Sequence, residues 1–253
     1  MRASSRLIGI FAFAATLAAS AHAAGAAEIK LVASNAVKEA YVQLLPAFEK
    51  ATGNKVTVSW GGTGDIVKRI NDGEAADIVI ITDVGIDGLV KQGKLASAGR
   101  VTVAKSPTGA AVRAGAPKPD LSSVDALKKT LIAAKGIVVT PGPSNPFLHQ
   151  LFDRLGIGAE MKAKEVRPAP GAILSQPVID GKADIVFSLA SELIPVKGME
   201  YAGHLPSGAD IVLNYVAAIH TAAPQPEAAK ALLRFLTTPD SVKVLKQTGL
   251  EPG

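Results

Sequence analysis

Short apolar runs alternate with amphipathic segments in the first part of the chain. Residues 29–33, 56–60 and 78–81 form three such runs, each with the length of a buried β-strand. Between them, apolar residues recur at the three- and four-residue spacing of a helix with one buried face. The clearest of these helices ends at Gly53 and buries Val37, Tyr41, Leu44, Leu45 and Phe48. This alternation predicts an α/β fold with a parallel sheet flanked by helices.

The second half continues the pattern and adds two β-rich stretches, residues 101–113 and 206–220, which we interpret as crossings between two lobes. If the chain leaves the first lobe at the first stretch and returns at the second, the C-terminal helices pack onto the first lobe. We therefore predict a lobe I of residues 24–104 plus 212–253 and a lobe II of residues 105–211. Two lobes joined by two hinge strands bind ligands in the cleft between them.

The first 23 residues have the layout of a secretory signal peptide. Arg2 and Arg6 precede an apolar run over residues 7–19, which is shorter than the roughly 20 residues that span a bilayer. An Ala-His-Ala processing site follows at residues 21–23. The alternative is a retained anchor helix. We expect export to the periplasm, with cleavage after Ala23 or a few residues later.

Composition excludes several classes of protein. The 253 residues are 48% apolar and 19% charged, which is a globular composition, and they contain no Cys. A net charge of +5 suggests that the protein binds nucleic acid, but removal of the 23-residue leader lowers the charge to +3 over the remaining 230 residues. The remaining Lys and Arg are scattered among acidic residues, without the basic stripe or aromatic platform of a nucleic-acid-binding surface. We therefore expect no nucleic-acid partner.

Small polar residues follow three of the predicted strands and begin three predicted helices. They are Ser34 and Asn35, Gly62 and Thr63, and Ser144 and Asn145. Unpaired N–H groups and the positive end of the helix dipole make such positions suited to an anion, although Ser, Thr and Asn often only cap a helix there. Ligands of open α/β sheets bind at the carboxyl ends of strands. Three junctions together therefore predict an anion site.

Signatures of metal, nucleotide and nucleophile sites are missing from the sequence. Without Cys there is no thiolate ligand, and the His residues lack metal-ligand spacing. The Gly-rich residues 61–64 fit neither a dinucleotide fingerprint nor a P-loop, so we expect no cofactor. His149 lies one helical turn after Asn145 and is expected to reach the cleft. Arg113 and Arg167 are the cations best suited to hold a carboxylate, with a solvated surface role as the alternative.

Several segments together resemble the periplasmic molybdate-binding proteins of ABC transporters over nearly the whole mature chain. They are LVASN at 31–35, FEKATG at 48–53, WGGTG at 60–64, AADIVI at 75–80, DGKADI at 180–185 and AKALLRFLTTP at 229–239. The resemblance implies the two-lobe type II periplasmic-binding-protein fold, with a mostly parallel sheet in each lobe. It also implies a monomer that delivers a small anion to a membrane permease.

The resemblance also implies a set of ligand-binding residues. In that family hydroxyls and backbone N–H groups at helix starts hold the oxyanion, a role that falls to Ser34 and Thr63. The second lobe departs from the pattern, since Leu189 stands where the family has a Tyr and a Pro-rich loop at 141–146 replaces its Asp-Pro loop. We predict that Ser34, Asn35, Gly62, Thr63, Ser144, Asn145 and Arg167 bind the ligand.

Two functions follow from these observations. The first is a non-catalytic solute receptor for a small oxyanion, such as molybdate, or a small organic acid. The second is a periplasmic isomerase on the same fold, similar to aconitate isomerase, acting on a small tricarboxylic acid. Such an enzyme needs a proton carrier beside a carboxylate clamp. His149 and Glu192 are the candidate catalytic residues, with Arg113 and Arg167 as the clamp.

Overall fold

A computed structural model describes residues 26–169 and 173–253, so the predicted leader lies outside the described residues. The strands are β1 Glu28–Ser34, β2 Lys55–Gly61, β3 Ile78–Thr82, β4 Val101–Arg113, β5 Ile137–Val139, β6 Ile185–Leu189, β7 Met199–His204 and β8 Val212–Ile219. The helices are α1 Lys38–Thr52, α2 Thr63–Asn71, α3 Asp83–Lys91, α4 Val124–Ala133, α5 Asn145–Arg154, α6 Gly158–Lys164, α7 Gln176–Ile179, α8 Ala190–Leu193, α9 Pro226–Leu236 and α10 Pro239–Gln247. A 3-10 turn at Asn35–Val37 leads into α1.

The strands form one sheet in the order β2-β1-β3-β8-β4-β6-β5, with β7 paired to β4 off this path. Pairing is parallel where the sequence predicts it, between β1 and β2, between β1 and β3, and between β5 and β6. The antiparallel pairings between the named strands all involve β4 or β8. These two strands occupy the stretches that the sequence identifies as crossings.

Both faces of the first half of the sheet are buried. In β1 and β3, alternate residues point into two separate cores, since successive side chains of a strand face opposite sides. Leu31 and Ile80 belong to the core that also contains α1, α9 and α10, whereas Val32 and Ile81 belong to the core under α2 and α3. The C-terminal helices therefore pack onto the first half of the chain, with the Phe48 and Phe235 rings 5.5 Å apart.

The fully buried Asp77 ties three segments of this half together. Its Oδ2 accepts a hydrogen bond from the backbone N–H of Lys30 at 2.8 Å, and its Oδ1 accepts one from that of Gln225 at 2.7 Å. A buried carboxylate needs such partners, because leaving it unpaired is costly. Asp77 thereby fixes the approach to β3 against β1 and against the residue before α9.

The second half of the sheet is covered on both faces as well. Val139 and Phe187 face a core with α4, α5 and α6, while Val138 and Val186 face a smaller core with α7 and α8. The long strand β4 joins the halves, because residues 101–107 pair with β8 and residues 108–113 pair with β6 and β7. The lobe boundaries near residues 104 and 211 stay a prediction.

Helix ends follow the local chemistry of the sequence. Gly53 ends α1 with a left-handed φ of 74°, a conformation that costs glycine little. Ser123 caps α4 by accepting a hydrogen bond from Ala126 N at 3.1 Å. Over residues 26–169 and 173–253, every helix is too short or too polar to cross a bilayer.

Candidate functional site

A cavity of about 560 Å³ opens where strands β1, β5 and β6 end. Asn35 follows β1, Thr140 follows β5, Ser188 lies at the end of β6, and Glu192 follows on α8. The remaining lining is mostly apolar and contains one cation; it consists of Ile173, Leu174, Ser175, Val186, Leu193, Val196 and Lys197. This first cavity is thus built by the carboxyl ends of strands from both halves of the chain, with the 3-10 turn packed against α8.

Two hydrogen bonds along the wall of the first cavity connect β5 to α8 through hydroxyl groups. Thr140 Oγ1 lies 2.6 Å from Ser188 Oγ, and Ser188 Oγ donates to Glu192 Oε2 at 2.7 Å. Thr140 and Ser188 are both buried. Since these bonds join two strand ends to a helix start, they hold the Glu192 carboxyl in a fixed place in the lining.

The environment of Glu192 favours its neutral form. Burial raises the pKa of the Glu192 carboxyl, and the hydrogen bond from Ser188 offsets part of that rise. Burial raises the pKa of the Tyr215 hydroxyl on β8, and the nearby charge of Glu192 raises it further. A hydrogen bond with Ser34 lowers the same pKa. Ser34, Tyr215 and Glu192 therefore converge on one region beside the first cavity.

Ser34 caps the turn that begins α1. Its Oγ accepts a hydrogen bond from Ala36 N at 3.3 Å, and the side chain is buried. The capping role that the sequence leaves open is therefore present, and it keeps Ser34 beside Asn35 at the edge of the first cavity. Asn35 is the residue of this junction that lines the cavity.

The other two junctions are arranged differently. Gly62 is the N-cap residue of α2, and Thr63 Oγ1 lies 3.5 Å from Thr82 N as an acceptor. Ser144 is the buried N-cap residue of α5 and makes no side-chain capping bond. Gly62, Thr63 and Ser144 are not among the described residues that line the first cavity.

His149 and Arg167 line a second cavity, of about 510 Å³, together with Asn145, Lys162 and Glu165. Both ring nitrogens of His149 have partners: Nδ1 lies 3.0 Å from Asn145 O, and Nε2 lies 3.0 Å from Glu165 Oε2. The described linings of the two cavities share no residue. Arg113 lines a further cavity beside Lys118 and Lys135.

Sequence reasoning missed the polar lining residues Thr140, Ser175, Ser188 and Lys197 of the first cavity, and Tyr215 beside it. Thr140 and Ser188 were identifiable by the rule that selected Ser34, because each stands at the end of a buried strand. Tyr215 lies inside β8 and Lys197 in a loop after α8, so no local signal marks them. Among the described residues, no three His, Asp or Glu side chains form a group that could hold a metal ion.

Comparison with known proteins gives a consistent family. A family model described as "Bacterial extracellular solute-binding protein" matches residues 29–251. An aconitate isomerase from Pseudomonas sp. is 34% identical over 230 residues, covering 88% of this chain and 87% of the isomerase. The molybdate-binding protein ModA of Azotobacter vinelandii is 27% identical over 234 residues, covering 90% of this chain and 91% of ModA.

A solved structure confirms the fold. The substrate-binding domain of a molybdenum ABC transporter from Clostridium difficile superposes with a TM-score of 0.73 at 20% identity. The match covers 90% of this chain and all of that domain. At this level of identity the likeness establishes the architecture, and the ligand has to be argued from the residues of the site.

Proposed function

The chain belongs to the family of bacterial extracellular solute-binding proteins, and we propose that it captures a small oxyanion or organic acid in the first cavity for delivery to an ABC transporter permease. The observation that carries this proposal is the first cavity itself, where Asn35, Thr140 and Ser188 meet at the carboxyl ends of three strands. Such edges of α/β sheets are where ligands bind. An extracellular family also supports a periplasmic location, which the leader predicted at residues 1–23 would provide.

The chemistry of the first cavity suits a small anion. The Asn35 amide and the Ser175 hydroxyl can donate hydrogen bonds to a ligand, and Lys197 supplies one positive charge. The hydroxyl hydrogens of Thr140 and Ser188 are used within the site. The relative from Azotobacter vinelandii binds molybdate, which makes molybdate and its analogues the first probes. In this proposal Ser34 holds the turn that presents Asn35, while Thr63, Gly62 and Ser144 act nearby or on closure of the cleft.

Ligand capture on closure requires the two-lobe division predicted from the sequence. We propose lobe I as residues 24–104 plus 212–253 and lobe II as residues 105–211, with β4 and β8 as the connecting strands. The change of pairing partner along β4, from β8 to β6 and β7, supports a hinge at the middle of that strand. A receptor of this kind acts as a monomer, because one copy docks on one permease.

A second candidate function, isomerisation of a tricarboxylic acid, is favoured by two observations: the 34% identity to aconitate isomerase and the carboxyl of Glu192 in the first cavity. A 1,3-shift of a double bond removes a proton from a methylene carbon and returns a proton to the far alkene carbon, with no net change in protons. The Glu192 carboxylate is placed among the lining groups as a single carrier for both transfers. His149 is engaged with Glu165 in the second cavity, so Glu192 is the stronger candidate.

One panel of measurements tests both functions. The melting temperature of the mature protein is measured with molybdate, tungstate, sulfate, citrate and trans-aconitate, since a ligand at 100 times its Kd stabilises the native state by about 2.7 kcal/mol. A rise with molybdate, tungstate, sulfate or citrate, or with trans-aconitate that is not converted, supports the receptor. A rise with trans-aconitate, together with its conversion to cis-aconitate, supports the isomerase. No rise with any of the five anions contradicts both.

A further inference from the structure

Glu192 is an acidic residue in the lining of a cavity that we propose binds anions, which is unexpected because like charges repel. It is largely buried, it lines the first cavity, and Oε2 is held by the Ser188 hydroxyl. Among the described residues no group hydrogen-bonds the other oxygen, Oε1. A carboxylate in this place would repel a bound anion strongly, because like charges interact across little water in a buried site.

The described elements around Glu192 offer little positive charge to offset that repulsion. The turn before α1 contributes Ser34 and Asn35, β4 contributes Ser106 through its contact with Ser191, β6 contributes Ser188, and β8 contributes Tyr215. Strand β7 also packs against α8. The charge of its Glu200 is balanced by Lys118, whose Nζ lies 3.1 Å from Glu200 Oε1. Lys197 is the other charged side chain of the described lining, and it is exposed.

We infer that Glu192 selects the protonation state of what binds: the anion enters together with one proton, which is shared between a ligand oxygen and Glu192 Oε1. The inference rests on the proposed function and deepens it. Ser188 fixes Oε2 as a hydrogen-bond acceptor, so the proton occupies Oε1, the oxygen without a protein partner. The O–H group then donates to the anion in a short, charge-assisted hydrogen bond, which replaces repulsion by attraction.

The class of preferred ligand follows from this arrangement. An anion that carries its own hydroxyl or acid proton can donate to an ionised Glu192 and binds without net proton uptake. An anion that is fully ionised and has no hydroxyl, such as molybdate or tricarballylate above neutral pH, binds only when Glu192 takes up a proton from solution. Its affinity therefore falls as the pH rises, by up to about tenfold per pH unit for one linked proton.

The burial of Glu192 shifts this proton uptake to higher pH than an exposed carboxyl would allow. Desolvation raises the pKa of the free carboxyl, and an adjacent anion raises the pKa further in the complex. Between these two pKa values the free protein is ionised and the complex is protonated. Proton uptake on binding is confined to that window, and below it affinity becomes independent of pH.

Calorimetric titration of molybdate and of tricarballylate, the analogue of citrate without a hydroxyl, into the full mature protein tests the inference. It uses two buffers with different protonation enthalpies and pH values from about 6.5 to about 8.5. For the anion that binds, we expect uptake of about one proton at the upper end of this range. Glu192→Gln, which keeps the size and is neutral, is expected to bind without proton uptake and with no loss of affinity at high pH. Glu200→Gln, a change of an exposed carboxyl, serves as the matched control and should behave as the unmodified protein.

The outcomes separate this inference from the proposed function. Binding of either anion without proton uptake across the range contradicts the inference and leaves the receptor function intact. Proton uptake that persists in Glu192→Gln contradicts it as well, because another group then carries the proton. If neither anion binds at any of these pH values, the inference and the proposed anion receptor both fail.

Discussion

Ser188 Oγ donates a 2.7 Å hydrogen bond to Glu192 Oε2, joining the end of strand β6 to helix α8. The two residues are four apart, and the chain turns from strand to helix between them. Thr140 Oγ1 donates a hydrogen bond to Ser188 Oγ at 2.6 Å, so the carboxyl is also connected to the end of strand β5. The position of this acid in the first cavity is therefore set by the sheet.

Loss of the Ser188 hydroxyl should raise the pKa of Glu192 further. In Ser188→Ala the bond that favours the ionised carboxyl is gone, and burial alone remains to act on it. Carboxyl carbon NMR titration of the unliganded protein measures this pKa directly. Ser207→Ala, at an exposed loop position, is the control and should leave it unchanged. A Glu192 pKa that falls in Ser188→Ala would contradict the account of the site.

The raised pKa of Glu192 also predicts a pH dependence of stability. The unfolded chain releases this proton at its ordinary pKa of about 4.3, whereas the native state keeps it to higher pH. Glu192 therefore destabilises the native state increasingly as the pH rises from the unfolded to the folded pKa, by about 1.4 kcal/mol for each tenfold difference in proton affinity. Urea unfolding should show Glu192→Gln gaining stability relative to the unmodified protein over this window. A constant difference at all pH values would refute the prediction.

Asp77→Ala should lower the free energy of unfolding by about 3 to 6 kcal/mol, because two hydrogen bonds to a buried carboxylate, from the N–H groups of Lys30 and Gln225, are lost at about 1.5 to 3 kcal/mol each. Chemical denaturation measures the loss. Asp240→Ala removes an exposed carboxylate that pairs with Lys243 at 2.8 Å, and this control should cost much less than Asp77→Ala. Equal effects of the two changes would mean that the Asp77 contacts do not stabilise the first half of the sheet.

Gly109→Ala should destabilise the junction of β4 with β7. A Cβ atom at this position would clash with the Tyr201 hydroxyl and with Gly203 O, so we expect a loss of about 1 to 3 kcal/mol. Gly88 on α3 has open space around the same atom, and Gly88→Ala should instead stabilise by about 0.5 to 1 kcal/mol. Thermal unfolding of both variants is the check, and a neutral Gly109→Ala would show that β7 shifts to accommodate the methyl group.

The sequence predicts the elements with strong local signals. The parallel strands β1, β3 and β6 are recognisable as apolar runs, and the end of α1 is marked by Gly53. The short helix α8 and strand β7 have no such signal, since four residues carry too little periodicity and β7 is only partly buried. Their conformation depends on packing against β4, which local sequence does not record.

The candidate site was predictable in part for the same reason. Ser34 and Asn35 were found because the end of a buried strand is a local feature, and Asn35 does line the first cavity. The partner of His149 could not be found in this way, because Glu165 lies 16 residues away and reaches it only through the fold. Tyr215 lies beside the first cavity on β8, a strand that is distant in sequence from the residues that line it.

One measurement tests most directly whether the first cavity is the binding site. Calorimetry compares Asn35→Ala with Arg167→Ala in their affinity for the anion that raises the melting temperature of the unmodified protein. Asn35 lines the first cavity and Arg167 the second. Loss of a hydrogen bond to a charged ligand costs about 1.5 to 3 kcal/mol, so Asn35→Ala should weaken binding by about ten- to hundredfold while Arg167→Ala binds normally. Unchanged affinity in Asn35→Ala with loss of binding in Arg167→Ala would contradict the account and move the ligand to the second cavity.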